Sequence, residues 1–220
     1  MPARGNISPQ QIVDHAATPG NVPIYDASGC LVDSGNPPSG GGGGGALVLL
    51  EQHTASSSAS LDFTACISST YDTYKIVLVN VVPATTAQPL YMRMSTNGGS
   101  SYDSSSLYQY EYTNALAGTS GQAAEGSASA GQIILGAGQI DSTTDYGGVT
   151  GTMEFYNPGG SQSYKLLIGQ FVIRDKRDAV ISVRNQSAVY INTTATNAFQ
   201  FLFASGNIAS GTIRVYGIAK

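Results

Sequence analysis

The sequence predicts an all-β protein, a jelly-roll-like β-sandwich preceded by an extended arm, and three observations lead there. About ten short apolar runs separated by turn residues fill the chain from residue 46 onward. No amphipathic helical period interrupts them. Six consecutive glycines at residues 40–45 cut this body off from everything before it. A glycine run has no side chain to bury and the largest backbone entropy to lose, so it acts as a tether with a reach on the order of 15 Å.

The chain therefore divides into an attachment arm at residues 1–35, a Pro/Gly-rich linker at 36–45 and a sandwich domain at 46–220. In the arm, Ser8 followed by Pro9 has the form of a helix N-cap with proline at the first helical position, enough for a single turn. Two extended pieces follow, one holding Val22, Ile24 and Tyr25, the other Leu31, Val32 and Asp33, on either side of a turn at Asp26 to Gly29. So short a piece has too little apolar area to fold alone. It must dock on something.

Within the body, Leu47 to Gln52 opens the first strand. Residues 60–67 alternate, with Leu61, Phe63, Ala65 and Ile67 on one face and Asp62, Thr64 and Cys66 on the other, the period of a half-buried strand. Lys75 to Val82 is closed by Pro83, which cannot donate to a sheet. Leu90 to Ser95 runs into Asn97 and Gly98, a pair that tolerates the positive φ of a tight hairpin. Further strands are predicted at 107–112, 132–135, 151–156, 164–173, 179–184, 199–203 and 212–218. Residues 115–131 are too small and polar for a core strand and read as a long surface loop. Asp175, Lys176, Arg177 and Asp178 read as a solvated hairpin tip.

Composition narrows the function. Charged residues are only 11% of the chain and the formal net charge is −4, so there is no basic stripe for a phosphate backbone and nucleic acid is not an expected partner. No apolar stretch is long enough to cross a membrane, and the opening residues lack a signal-peptide core, which points to synthesis in a cytoplasm. Cys30 and Cys66 stand 36 positions apart, neither a disulfide framework nor a metal spacing.

Catalytic candidates are few. A Ser-His-Asp arrangement would have to use His15 or His53, the latter near Ser56, Ser57 and Ser58, and neither has a sequence neighbour that obviously orients it. Asp62, Asp72, Asp103, Glu111, Asp141, Asp145 and Glu154 could supply a carboxylate pair for glycoside hydrolysis, without a motif to choose among them. Asp141 and Asp145 supply only two of the alternate carboxylates a calcium loop needs. The expectation is no catalytic, cofactor-binding or metal site.

Tyrosine is the enriched chemical type, thirteen against no tryptophan. Tyr108, Tyr110 and Tyr112 alternate and so share one strand face. Facing inward they are core; facing outward they form a strip for a subunit interface or for stacking on a host surface glycan. Two of the three residues opposite, Gln109 and Glu111, are polar, which favours burial of the tyrosines.

The run from Gly20 to Gly35, Gly-Asn-Val-Pro-Ile-Tyr-Asp-Ala-Ser-Gly-Cys-Leu-Val-Asp-Ser-Gly, resembles a segment of small virion proteins and fibres of tailed bacteriophages, where it stands ahead of a linker or distal domain. It departs from that pattern at Cys30, where a polar residue is more usual. Residues 203–218 resemble the closing strand of phage β-sandwich appendage proteins. The resemblance implies a non-enzymatic virion component, often trimeric, held by its N-terminal segment to the major capsid protein or another virion protein. Two roles fit: a capsid decoration, cement or head-fibre protein, and a tail fibre or tail tip that recognises a host glycan. The short arm leaves no shaft and favours the first.

Overall fold

The computed structural model describes residues 23–25, 31–33, 47–118, 122–176 and 180–218. The chain divides between Ala46 and Leu47. Ahead of the division, β1 (Pro23–Tyr25) and β2 (Leu31–Asp33) pair antiparallel, with Tyr25 opposite Leu31 and Ile24 opposite Val32. The two extended pieces expected in the arm are thus partners in one small hairpin. Val22, the Ser8 turn, His15, Cys30 and the glycine linker lie outside the described residues.

The body is all-β, as expected, and every strand pair in it is antiparallel. Its strands are β3 (Leu47–Ser58), β4 (Leu61–Phe63), β5 (Thr73–Pro83), β6 (Gln88–Ser95), β7 (Tyr108–Leu116), β8 (Gln122–Ala130), β9 (Ile133–Ile140), β10 (Val149–Tyr156), β11 (Lys165–Asp175), β12 (Val180–Tyr190), β13 (Ala198–Phe203) and β14 (Ile208–Ile218). Eight of them follow one another in the order β3-β14-β5-β10-β11-β12-β7-β8, a large sheet. A smaller layer, β9-β6-β13-β4, joins it where Ile140 meets Asp175 at the end of β11. Only a two-residue turn separates β3 from β4, so the sandwich is nearly closed along that side.

The core lies between the two layers. From the large sheet come Tyr74, Ile76 and Leu78 of β5, Phe155 of β10, Phe171 and Ile173 of β11, and Ile213 and Val215 of β14. The small layer answers with Met92, Met94, Phe199, Phe201 and Phe63. Phe63 stacks on Phe199 at 5.2 Å between ring centroids, and Phe155 meets Phe199 edge-on. At roughly 1.5–3 kcal/mol for each large apolar side chain fully removed from water, these rings and aliphatics supply the main driving force for closing the two layers.

Four local expectations are corrected. Residues 115–131 are not a loop: they contain β8, paired with β7, with Tyr110 opposite Ser127 and Glu111 opposite Gly126. An edge strand of Gly, Ala and Ser needs no alternation to pair by its backbone. A Cβ on Gly126 would stand 2.4 Å from the Tyr110 carbonyl oxygen, so glycine is what permits the close approach. The strand read at 60–67 stops at Phe63, because the Glu51 carboxylate accepts the N–H groups of Thr64 and Ala65 at 3.3 and 3.0 Å and takes them out of the sheet. Gly98 and Gly99 do adopt positive φ, but the turn opens into a loop, since β6 pairs with β9 and β13 and not with β7. Lastly, the β11–β12 connection is not wholly solvated: Lys176 is exposed, but Asp175 is buried against Arg184. Arg177 and Asp178 lie outside the described residues.

Candidate functional site on the outer face of the large sheet

The tyrosines of β7 turn inward. Tyr108 and Tyr112 are buried and Tyr110 is half-buried against the core. Tyr108 stacks on Tyr190 at 4.9 Å, and its hydroxyl accepts the Met94 N–H at 2.9 Å and donates to the Asp103 carbonyl at 3.0 Å. Tyr112 donates to the Glu125 carboxylate and lies 5.5 Å from the Arg184 guanidinium. The inward face is the one that polar Gln109 and Glu111 opposite favoured, and the alternative of an outward aromatic strip for glycan or subunit contact does not describe Tyr108, Tyr110 and Tyr112. The side of β7 that reaches solvent carries Gln109, Glu111 and Thr113.

The acidic candidates are scattered, and Asp103 and Asp141 are engaged. Asp103 accepts hydrogen bonds from the Ser105 N–H and hydroxyl and from Tyr190 at 2.7 Å; burial pushes its carboxyl up, but these bonds outweigh it and hold it below the ordinary range. Asp141, buried, pairs with Arg174 at 2.9 Å and Lys176 at 3.9 Å and caps Thr143. Its carboxyl too sits low, burial being overcome by the Thr143 bonds and then the two cations. Asp145 is exposed on a separate 3-10 turn, Thr144–Tyr146. Among the described residues no group of three or more His, Cys, Asp or Glu side chains gathers in metal-binding geometry. Glu111 and Glu154 do share one sheet face, but three strand gaps separate them, roughly 14 Å. A glycosidase pair stands at about 5–9.5 Å.

His53 has a partner that the sequence did not suggest. Its Nε2 lies 2.8 Å from Glu51 Oε1, two residues away on the same face of β3, and its ring meets Phe63 edge-on. Glu51 also engages the Cys66 thiol. Burial, and then the neighbouring carboxylate, push that thiol upward, so Cys66 stays protonated and is a packed side chain, not a nucleophile.

What sets this molecule apart is the outer face of its large sheet. Register aligns Leu47, Ile218, Thr73, Tyr156, Leu166 and Val189 in one row across six strands. The next row is Leu49, Tyr216, Lys75, Glu154, Ile168 and Ser187. Further along, Val172 stands opposite Val183. Ile168 is 59% exposed and Leu166 53%, the highest values among the large hydrophobic residues described. Apart from Tyr146, every exposed large hydrophobic side chain described belongs to β3, β11 or β12 or directly precedes β11. The outer face of the small layer is different, with Arg93, Asp62 and Gln200 side by side. A signal for this face was present in the sequence: residues 166–168 are apolar on both faces of a strand, which marks a segment covered twice.

Across β10, β11, β12 and β7, overlapping the second of these rows at Glu154, Ile168 and Ser187, runs a shallow groove of about 570 Å³ that also takes in the following row, Thr152, Gln170, Asn185 and Thr113. Gln170 donates to Asn185 at 2.8 Å within it. Compared with protein families, with curated proteins and with solved structures, the chain has no match.

Proposed function

We propose that this chain is a non-enzymatic structural protein of a tailed-phage virion, a capsid decoration, cement or head-fibre protein anchored by its N-terminal arm. The protein is made in the host cytoplasm, assembles as a homotrimer and docks by the arm on the major capsid protein or another virion protein. The observation that carries the reading is the β1–β2 hairpin, which pairs Ile24 with Val32 and Tyr25 with Leu31 inside the segment that resembles virion attachment sequences. Two strands of three residues each cannot hold a fold in water by themselves, so this unit needs a surface supplied by something else.

Deletion of residues 1–39 tests this. The truncated chain is expected to remain a soluble β domain and to be missing from purified particles. Its recovery in particles at normal copy number would overturn the assignment. A second reading, a tail module that binds a host glycan, is favoured by the row of Thr113, Asn185, Gln170 and Thr152 in the groove on the large sheet. Copy number separates the two: hundreds per particle mean decoration, a dozen or fewer mean the tail.

A further inference from the structure

We infer that copies of this chain associate through the outer face of the eight-stranded sheet, with the Leu47 to Val189 row of each copy turned toward its neighbours. The inference rests on the reading above only for the number of copies; the face itself is argued from the body. Exposed aliphatic side chains are concentrated here, in Leu47, Leu49, Leu166, Ile168, Val172 and Val183, and apolar side chains gathered in the open on one face mark a contact. Its charges are few and equal in number, Lys75, Arg174 and Arg214 against Glu111, Glu154 and Asp141. Lys75 stands opposite Glu154 in register, Arg214 donates to Gln52 at 2.7 Å, and Arg174 pairs with Asp141.

Dimensions choose the occupant. Six strands span five gaps of about 4.8 Å, roughly 24 Å. The β1–β2 hairpin, one gap wide and about 10 Å long, is too small to cover that width. A second copy presents a surface of the same breadth, and because the face is locally neutral it brings no repulsion from a chain whose net charge is −4. Three such faces around one axis form a triangle with sides of roughly 24 Å, which places each sheet roughly 7 Å from the axis. Sheets packed face to face lie about 10 Å apart, so one layer of side chains occupies about 5 Å. The larger Tyr156 and Tyr216 fill the difference.

The experiment is light scattering on the full chain at tens of micromolar, with the Leu166→Glu/Ile168→Glu double variant beside the wild type. Gln200→Glu on the outer face of the small layer serves as control. The expected result is an oligomer for wild type and control, and a monomer for the double variant with an unchanged circular dichroism spectrum. Both substituted side chains are exposed, so folding should survive. A double variant that keeps its oligomeric mass overturns the interface while leaving the virion role, which particle incorporation tests, untouched. A monomeric wild type also overturns it, as does a full chain that oligomerises only after residues 1–39 are removed, which would assign the face to the arm.

Discussion

Replacing Asp175 by Asn isolates the most consequential charge in the body. Asp175 and Arg184 are both fully buried, with Arg184 Nη2 donating to Asp175 Oδ2 at 3.0 Å. The rest of the guanidinium has little else: Nε donates to the Ser182 hydroxyl at 2.9 Å, the Tyr112 ring lies 5.5 Å away, and Nη1 has no hydrogen-bond partner. Arginine cannot escape by releasing its proton. Removing the carboxylate charge therefore leaves a buried cation, and breaking such a pair from one side costs about 3–5 kcal/mol. For a domain of this size each kcal/mol shifts Tm by about 2–4 °C, so Asp175→Asn should melt about 6–20 °C lower. The assay is thermal unfolding followed by circular dichroism at one fixed protein concentration, because association shifts apparent stability. The Asp175→Leu/Arg184→Met double variant removes both charges and should regain most of that loss, since apolar replacement of a whole buried pair is often neutral or better. A single variant within about 2 °C of wild type, or a double variant no more stable than the single, would refute the reasoning.

Acid sensitivity follows from Asp141, Asp103 and Glu51, whose native carboxyls all sit below their ordinary values although burial opposes it. Groups depressed in the folded state stabilise it above the unfolded pKa, near about 4, and lose that contribution as pH falls through the lower native values. Stability measured by urea titration should thus hold at neutral pH and drop below about pH 4, and Asp141→Asn should lower the neutral plateau and flatten the drop; an unchanged profile would count against the Thr143 and Arg174 contacts. Tyr108→Phe keeps the stack on Tyr190 but orphans the buried Met94 N–H, at about 1–3 kcal/mol. An unshifted denaturation midpoint would show that the hydroxyl contributes nothing.

Local chemistry in the sequence determined the class of fold and its punctuation. The alternation of Leu61 and Phe63, the stop at Pro83, the positive-φ glycines at 98 and 99 and the two extended segments of the arm depend on residues within a few positions of one another. Strand period and turn geometry are short-range properties. Everything that decides contact was left to tertiary structure. Leu166 and Leu167 are chemically identical, yet one is exposed and the other buried; the pairing of β11 with β10 and β12 selects the side that meets the small layer. The same pairing brings Arg184 to Asp175. β8 became a strand because β7 offered it an edge, against its own composition. The Tyr108 face turned inward because Tyr190, 82 positions later, was there to stack on it. These choices join residues far apart in the chain, and periodicity within one strand carries no information about which partner will cover it.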